Sequence, residues 1–585
     1  NLFGMPTAFA DFIAFSLILS VVWVAYTWLF LQPRVDWRSP KGWLTLLREG
    51  VLWNWESIRK LFSSAQDLPA SSVPYSIYFI TFSGFCIYAA HWFIQKRKES
   101  DKQPHPLYVK GKLISQSVTC NPNNGEFETM DPSVHTVTDI RNLCYTYGEK
   151  PALYHAKQWL SYSTLIRGSE IFADIVERNA HTKAPVCVLG DFSSIKCSAI
   201  LGLVSIGRSV VFVTQEQQPA DILHILEEQH CEVILLKHSR LSQLEEALQC
   251  SYCSSLRVVL FTDDDYIDKG EGCSGYLAEE SLAQTHNLEV LSLSHVIMSE
   301  YADFEPHAVL PTRPLCDAPA VIIYNSNNEP ITITHRNIVA AASALALEYA
   351  VKDSDVILAE PISVASTLSL FMCAMLCGAR FSFTNRIVEI CGEVQPTIIS
   401  ASNASYYAIY KELLGLYRAY PVTTFLLRPI RHLLRNTPSF RYVRQRRVSE
   451  LLGDNLRLCL SFYSFRPLSK AGHTLLMRMI GVPVSIIFGN TETCGICTHS
   501  VGNGNRCIRG YVAVPFVCNS LRQSERNTLL IEGSNITECN RMVELDGRRW
   551  FDSGISVLFL KDFLIVHKMP STFCSSMPAD RKSVV

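Results

Sequence analysis

The sequence lacks an excess of charge of either sign. Its 585 residues include 53 Lys and Arg against 54 Asp and Glu, so the net charge indicates neither a nucleic acid partner nor an acidic substrate. It also lacks paired Cys-x-x-Cys motifs, which argues against a zinc site although 20 cysteines are present. The cysteines stand in apolar runs such as FMCAMLCGA. We therefore predict buried, reduced thiols and a reducing compartment for most of the chain.

Two long apolar segments precede any globular pattern. Residues 12–31 (FIAFSLILSVVWVAYTWLFL) contain no charge, and residues 73–95 contain His91 but no Asp, Glu, Lys or Arg. Each is long enough to cross a bilayer as a helix; the alternative is a pair of buried core helices. We predict a two-helix transmembrane hairpin with an interfacial loop over 1–98, in the membrane of the endoplasmic reticulum or the mitochondrion. Basic residues are balanced on both sides, so they do not predict its orientation.

The rest of the chain has the pattern of an α/β protein. Residues 99–130 are polar and predict a linker. From residue 131, helical patterns alternate with short apolar strand patterns. The helical patterns lie at 161–180, 193–207 and 220–230, and the strand patterns at 184–191, 209–214 and 231–237. Such short, continuously apolar strands between helices predict a parallel, doubly wound sheet.

The segment YNSNNEPITITHRN, residues 324–337, predicts a strand that ends at Tyr324, a short polar loop and a helix that begins near Thr334. That arrangement is typical of loops that cradle a nucleotide phosphate. This loop has no glycine to turn its amides toward phosphate and no lysine to neutralise the charge. Its asparagines tolerate left-handed conformations, so we expect a turn to persist. Glu329 adds negative charge where a triphosphate would lie.

A second motif, IIFGNTETCGI at residues 486–496, contains an aromatic residue, a glycine and a Thr-Glu pair. A threonine hydroxyl such as that of Thr491 can donate a hydrogen bond to a phosphate oxygen. The carboxylate of Glu492 can hold a Mg²⁺ ion that bridges phosphates. Alone, a Thr-Glu pair after glycine is a weak signal. Its position in the order of the other segments makes it stronger evidence of a relationship to other proteins.

The order of these segments resembles the adenylate-forming (AMP-binding) superfamily, and most closely its long-chain fatty acyl-CoA synthetases. The resemblance covers 131–568 and rests on segments such as SAILGLVSIGRSVVFVT, the Thr-His-Arg-Asn helix start and the Thr-Glu turn. It implies the large N-terminal domain of that α/β fold, with doubly wound sheets and a small β-subdomain. If the protein is active, it implies ATP and Mg²⁺ as cofactors, Thr491 and Glu492 as catalytic residues and Glu492 as the metal ligand. The nucleotide-binding remnant that it implies consists of Tyr324, Ser326, Phe488, Gly489, Thr491 and Gly554.

Several positions depart from the family's pattern. Ile555 stands where the family has the Asp that binds the ribose hydroxyls, and an aliphatic side chain cannot accept those hydrogen bonds. Val566 and His567 replace the Asp-Arg pair of the family's hinge, and we expect 569–585 to be a short tail in place of its C-terminal domain. Family glycines near the nucleotide are replaced by Tyr463, Phe465 and Arg466.

These losses favour a pseudoenzyme: a membrane-anchored structural subunit or scaffold without catalytic activity. Its expected partners are the lipid bilayer and other membrane protein subunits, with no cofactor and no nucleic acid. Two alternatives stay open. One is an active, divergent long-chain fatty acid–CoA ligase, which converts ATP, fatty acid and CoA to acyl-CoA, AMP and pyrophosphate. The other is a non-catalytic module that binds a fatty acid or an acyl lipid. Because the sequence begins at Asn1 rather than Met, we expect an upstream piece to be missing.

Other reactive side chains have structural interpretations. We expect His335 and His567 to be helix-cap or surface residues rather than catalytic bases. Cys494 and Cys497 form a Cys-x-x-Cys unit without a second pair, so we expect no metal or redox chemistry there. Asn535-Ile-Thr matches the glycosylation pattern, but the resemblance places it in a fold that is not secreted.

Overall fold

A computed structural model of the chain describes most residues between 129 and 568. The chain divides into two compact units, Asn1–Gly111 and Lys112–Val585, and every described residue belongs to the second. The described ranges are 129–155, 157–190, 192–213, 217–250, 253–262, 281–301, 303–304, 313–324, 328–418, 448, 451–463, 476, 480–499, 511–560 and 563–568. The predicted membrane segments at 12–31 and 73–95 lie outside these ranges. Within them, no helix is both long and apolar enough to cross a membrane.

The described residues form helices and strands that alternate along the first half of the domain. The helices are α1 (Val137–Tyr145), α2 (Tyr162–Asn179), α3 (Ser194–Ser205), α4 (Pro219–Glu228), α5 (Leu241–Cys250), α6 (Leu293–Glu300), α7 (His335–Tyr349), α8 (Val364–Cys377), α9 (Ile387–Val394) and α10 (Asn403–Arg418). The strands are β1 (Pro151–His155), β2 (Gln158–Ser161), β3 (Val186–Leu189), β4 (Val210–Val213), β5 (Val233–Lys237), β6 (Val258–Thr262), β7 (Glu289–Ser292), β8 (Pro319–Tyr324), β9 (Pro330–Thr334), β10 (Val356–Ala359), β11 (Arg380–Phe383), β12 (Ile398–Ala401), β13 (Leu458–Tyr463), β14 (Val484–Phe488), β15 (Thr498–His499), β16 (Tyr511–Pro515), β17 (Asn519–Gln523), β18 (Thr528–Gly533), β19 (Met542–Leu545), β20 (Arg548–Leu560) and β21 (Phe563–Lys568).

Seven strands form the first sheet, in the order β7-β6-β5-β3-β4-β8-β9. The strands from β7 to β8 in this order are parallel. Strands β3, β4 and β6 are buried along their whole length, as their continuous Val, Leu and Phe runs require in a sheet covered on both faces. The alternation of helices and strands predicted between 161 and 237 is confirmed by α2 to β5.

Helices α2 and α3 begin as their serines predict and then cross in close contact. The Ser161 hydroxyl accepts a hydrogen bond from the Thr164 amide at 3.2 Å at the start of α2, the usual way of capping a helix. Further along, a Cβ on Gly202 of α3 would lie 2.0 Å from the backbone oxygen of Ser169 in α2. The crossing therefore depends on the absence of a side chain at Gly202.

The segment between Tyr324 and the next helix contains a strand that the sequence analysis did not predict. Strand β9 pairs antiparallel with β8, with Ile331 opposite Ile323, so the first sheet is mixed. The predicted parallel arrangement is confirmed for the strands from β7 to β8 and does not extend to β9. This pairing confines the polar loop to 325–329. The pattern Pro-Ile-Thr-Ile-Thr, with both isoleucines buried, is typical of an edge strand with one covered face.

Fourteen strands form the second sheet, which is also mixed. Its centre is parallel, with β1, β11, β10, β12, β13 and β14 side by side. Strands β2 at one side and β15 and β16 at the other are antiparallel to their neighbours. Strand β16 also pairs with β21 and so belongs to a small antiparallel β-subdomain, formed by strands β16 to β21.

One apolar core joins the two sheets through the helices between them. It contains side chains of β3, β4 and β8, of β10, β12 and β14, and of helices α2, α3, α7 and α8. Helix α8 is buried from Ala365 to Cys377, because its sequence VASTLSLFMCAMLC has no charged side chain on any face. Within the described ranges every cysteine is a free thiol and most are buried, which confirms the predicted state of these thiols.

Candidate functional site

The loop after β8 is held at both ends by helix α4. Tyr324, the last residue of β8, donates its hydroxyl to the carboxylate of Glu228 at 2.7 Å. Asn328 donates its side-chain amide to Asp221 at 2.9 Å and has a φ of 58°. This left-handed conformation confirms that asparagine forms a turn here in place of glycine. Ser326 lies outside the described residues.

Helix α7 begins directly after β9 with a capping box. The Thr334 hydroxyl accepts from the Asn337 amide at 3.3 Å, and the Asn337 side-chain oxygen accepts from the Thr334 amide at 3.0 Å. His335 is buried, and its Nδ1 accepts a hydrogen bond from the Val137 amide at 3.3 Å. Burial lowers the pKa of His335 to about 4, so the ring is neutral at neutral pH. Of the two predicted positions, helix cap or surface, His335 comes directly after the cap residue Thr334 and is not on the surface, because its ring fastens α1 to α7 within the core.

The turn after β14 depends on glycine. Phe488 is the last residue of β14 and is buried, and a short 3-10 helix, Thr491–Thr493, follows it. A Cβ on Gly489 would lie 2.1 Å from the backbone carbonyl carbon of Gly495. Any larger residue at this position would push the two arms of the turn apart.

Two buried asparagines join this turn and helix α7 to the β-subdomain. Asn535 is fully buried and donates to the carbonyl oxygens of Thr493 and Ile496, each at 2.9 Å. Asn337 donates to the carbonyl oxygens of Ser534 and Ile536, each at 2.9 Å. The segment after β18 is therefore pinned on both sides by side-chain amides. Because Asn535 is enclosed, the folded protein does not present it as a glycosylation acceptor.

Glu492 forms an ion pair with an arginine of the β-subdomain. Its carboxylate, 9% exposed, contacts the guanidinium of Arg541, which is 40% exposed. The Arg541 guanidinium also lies over the Phe551 ring, 4.8 Å from the ring centroid. The backbone oxygen of Glu492 accepts from the Thr537 amide at 2.9 Å. Both the charge and the backbone of Glu492 are thus engaged by the β-subdomain.

The arrangement around Glu492 does not fit a magnesium ion. Magnesium in phosphate-transferring sites is usually held by one or two carboxylates together with waters and substrate phosphates. Glu492, the predicted ligand, is already neutralised by Arg541. In the part of the chain that the structure describes, no group of three or more His, Cys, Asp or Glu side chains could hold a metal ion.

The predicted ribose position is part of the apolar core of the β-subdomain. Ile555 in β20 is 3% exposed and packs in a cluster that includes Phe488, Leu529 and Phe551. Gly554 has a φ of 68°, and its amide donates to the Asp552 carboxylate at 2.9 Å. Glycine at 554 is needed for this left-handed conformation, but the residue after it points into the core and offers no hydrogen-bond acceptor from its side chain.

The predicted hinge position lies in a strand of the β-subdomain. Val566 in β21 pairs with Tyr511 of β16 on one side and with Val557 of β20 on the other. Backbone fixed between two neighbouring strands cannot rotate as a hinge must. His567 is the next residue of the same strand, so of the two predicted roles, helix cap or surface residue, the helix cap is wrong and the surface role stays a prediction.

The two mixed sheets and the attached β-subdomain correspond to a known family. The family model described as AMP-binding enzyme matches residues 140–529, which is more than half of the chain. The chain belongs to the AMP-binding enzyme family. No curated protein matches it. The family match includes the loop after β8 and the Thr-Glu turn, and it ends before Ile555 and Val566.

Solved structures of similar fold include adenylating proteins. The A domain of carboxylic acid reductase from Segniliparus rugosus, solved in complex with AMP and a co-purified carboxylic acid, has a TM-score of 0.58 at 17% identity, over 75% of this chain and 76% of that one. The Mycobacterium tuberculosis fatty acyl CoA synthetase has a TM-score of 0.53 at 13% identity, over 74% of this chain and 78% of that one. At these identities the likeness establishes the fold alone.

Sequence reasoning missed two residues that shape the site in this AMP-binding family member, Arg541 and Asn535. Asn535 entered it only as a glycosylation triplet, and Arg541 stands in the run CNRMVEL, which matches no motif. Their partners at the Thr-Glu turn are 49 and 42 residues away in the chain. No local pattern connects side chains at such separations, so only the three-dimensional fold could reveal these contacts.

Proposed function

We propose that this AMP-binding family member is catalytically inactive and acts as a membrane-anchored structural subunit or scaffold. The observation that carries the proposal is the ion pair between Glu492 and Arg541. It replaces an open carboxylate, which a metal-dependent reaction needs, by one whose charge is balanced within the chain. The other departures from the family's pattern point in the same direction.

The electrostatics of the pair oppose a metal ion. A divalent cation approaching Glu492 would meet the positive charge of Arg541 beside the carboxylate. To admit the ion, the guanidinium would have to leave both the carboxylate and the face of the Phe551 ring. Contacts with both groups favour its present position.

Further contacts that a nucleotide would need are missing. Ile555 offers the ribose no acceptor and is buried in the β-subdomain. Tyr324 and Asn328, at the two ends of the shortened loop, are hydrogen-bonded to α4. A charge-assisted hydrogen bond contributes about 1.5–3 kcal/mol, so losing several together would abolish useful affinity for ATP.

The scaffold part of the proposal rests on the retained fold and on the two apolar segments, 12–31 and 73–95. A folded domain anchored beside a bilayer presents its surface to other membrane proteins, and such subunits are the partners we propose. We expect the protein to stay in the membrane pellet after extraction of native membranes at alkaline pH. Its release into the supernatant would contradict the anchor.

The decisive experiment is ATP–pyrophosphate exchange by the detergent-solubilised full chain with palmitate and Mg²⁺. An active acyl-CoA synthetase serves as the positive control, and circular dichroism verifies that the sample is folded. We expect no exchange above background. Exchange that disappears in the Glu492→Gln variant would establish an active ligase and refute the proposal, whereas exchange unchanged by that variant would indicate a contaminating enzyme.

A second readout separates the scaffold from the lipid-binding alternative. Mass spectrometry of the purified, inactive protein should find no fatty acid or acyl lipid at stoichiometric amounts beyond those of the surrounding detergent and membrane. A single acyl species in stoichiometric amount would favour the lipid-binding module instead.

A further inference from the structure

A buried carboxyl–imidazole pair lies apart from the Thr-Glu turn. Glu348 is near the end of helix α7, and His499 is the second residue of strand β15. Glu348 Oε1 and His499 Nε2 are 3.2 Å apart, and the two side chains are 14% and 7% exposed. The two ionisable groups are therefore in direct contact, in surroundings that favour neither charge.

The described groups that pack around this pair are aromatic or uncharged. The Phe516 ring lies 4.8 Å from the His499 ring, and Tyr349 makes an edge contact at 6.0 Å. The Tyr349 hydroxyl lies 2.9 Å from the hydroxyl of Ser485, and burial raises the pKa of that phenol. Burial also raises the pKa of the Cys518 thiol, which interacts with Glu348. Among the residues whose side chains the structure describes, Tyr349 and Cys518 are the other titratable groups that face the pair, and both stay neutral at physiological pH.

The pair connects two parts of the fold. Strand β15 pairs with β14 through His499 opposite Ile487, and with β16 through His499 opposite Val514. It is therefore the link between the parallel centre of the second sheet and the β-subdomain. Glu348 reaches this link from helix α7, whose other end carries the Asn337 contacts to the same subdomain.

Burial perturbs the two groups in opposite directions. It raises the pKa of Glu348 from 4.5 to about 7 and lowers the pKa of His499 from 6.5 to about 4. Between about pH 4.5 and 6.5 the closed pair therefore holds one proton, with both side chains uncharged. When the contact opens to water, the carboxylate is charged and the imidazole is protonated, so the pair again holds one proton.

We propose that Glu348 and His499 form a proton-exchanging clasp that closes helix α7 onto strands β15 and β16 without net proton uptake. On closing, one N–H bond of the imidazolium breaks and one O–H bond forms on the carboxyl group. The proton count of the pair is unchanged, so acidity does not bias the contact. Each partner compensates the pH dependence that the other would impose alone.

The sign of each contribution gives the test. In the Glu348→Gln variant only His499 can titrate. Because its pKa is lower in the closed state than in the open state, the open state binds a proton more tightly, and acid favours opening. In the His499→Gln variant only Glu348 can titrate. Because its pKa is higher in the closed state, the carboxyl group loses its proton at lower pH in the open state, and rising pH favours opening. The two variants must therefore have opposite pH slopes.

The measurement is amide hydrogen exchange of α7, β15 and β16 in the full chain, with the intrinsic exchange rate divided out. From pH 5 to 6 we expect the opening constant to fall roughly five- to tenfold with Glu348→Gln and to rise by a similar factor with His499→Gln. In the wild type the opening constant should change by less than about twofold over this interval. Two substitutions of exposed residues, Glu389→Gln and His224→Gln, serve as matched controls and should behave as the wild type.

The proposal would be refuted if the opening constant changed with pH in the same direction in both variants, or if it did not change with pH in either of them. A fivefold or larger change in the opening constant of the wild type between pH 5 and 6 would also refute it. If a glutamine variant fails to fold, Glu348→Ala or His499→Ala takes its place, because the expected signs depend only on the partner that remains.

Discussion

Replacing Arg541 by methionine tests whether Glu492 depends on it. Methionine keeps an unbranched chain against the Phe551 ring but removes the positive charge from a carboxylate that is 9% exposed. Removing one partner of a buried ion pair destabilises proteins by about 3–5 kcal/mol, because the other charge is left uncompensated. Arg541 is 40% exposed, so water already screens part of the attraction. We therefore expect Arg541→Met to lower the free energy of unfolding by about 2–3 kcal/mol.

The reverse substitution should be milder. Glu492→Gln removes the buried charge and leaves Arg541 partly in water, where its hydration compensates for the lost partner. We expect a cost of about 1 kcal/mol or less for Glu492→Gln. The double variant Glu492→Gln/Arg541→Met should resemble Glu492→Gln alone, since no unpaired charge remains.

Urea unfolding of the detergent-solubilised chain, followed by tryptophan fluorescence and circular dichroism, measures all three variants. The buried Trp550 lies next to Phe551 in β20 and reports on this region. If Arg541→Met stayed within 0.5 kcal/mol of wild type, or if Glu492→Gln were the more damaging change, Glu492 would not be a buried carboxylate held by Arg541. The argument against a metal site at Glu492 would then lose its basis.

Two further predictions concern packing and buried amides. Gly202→Ala should destabilise by about 1–3 kcal/mol because its Cβ would overlap the backbone of Ser169, whereas Gly392→Ala, in helix α9 with open space around it, should stabilise by up to about 1 kcal/mol. Thermal melting compares the two, and equal shifts would contradict the close crossing of α2 and α3. Asn535→Ala should cost about 2–4 kcal/mol because it leaves the Thr493 and Ile496 carbonyls unpaired. Hydrogen exchange that stays unchanged in the turn after β14 would show that Asn535 does not hold it.

The elements that could be predicted are those whose signal is local. The strands around Val186, Val210 and Val233 are runs of branched apolar residues in the sequence, and each is a fully or largely buried strand in the fold. Ser161 before α2 is a capping residue by its type and by its contact. Strand β9 has only five residues, and its alternating pattern directly follows a polar loop and precedes a helix cap, so the local sequence does not distinguish it from part of that loop.

The site was predictable only in part, because its residue types are local but its contacts are not. The Thr-Glu turn and Gly489 were found where the motif placed them. The loss of a ribose acceptor at Ile555 was also visible in the sequence. That Ile555 lies in an apolar core, that Arg541 contacts Glu492, and that His335 is enclosed depend on residues far away in the chain.

The sequence by itself determined the alternation of helices and strands, the AMP-binding ancestry and the absence of glycine, lysine and aspartate at positions where chemistry would need them. The alternation follows from residue types and from periodicities of a few residues, whereas the ancestry and the missing residues follow from the resemblance of the motifs to those of the family. The tertiary structure alone decided which charges meet: Glu492 with Arg541, and Glu348 with His499. The physical reason is that the energy of an ionisable group depends on its burial and on its neighbours in space, and both are set by the folding of distant segments against each other.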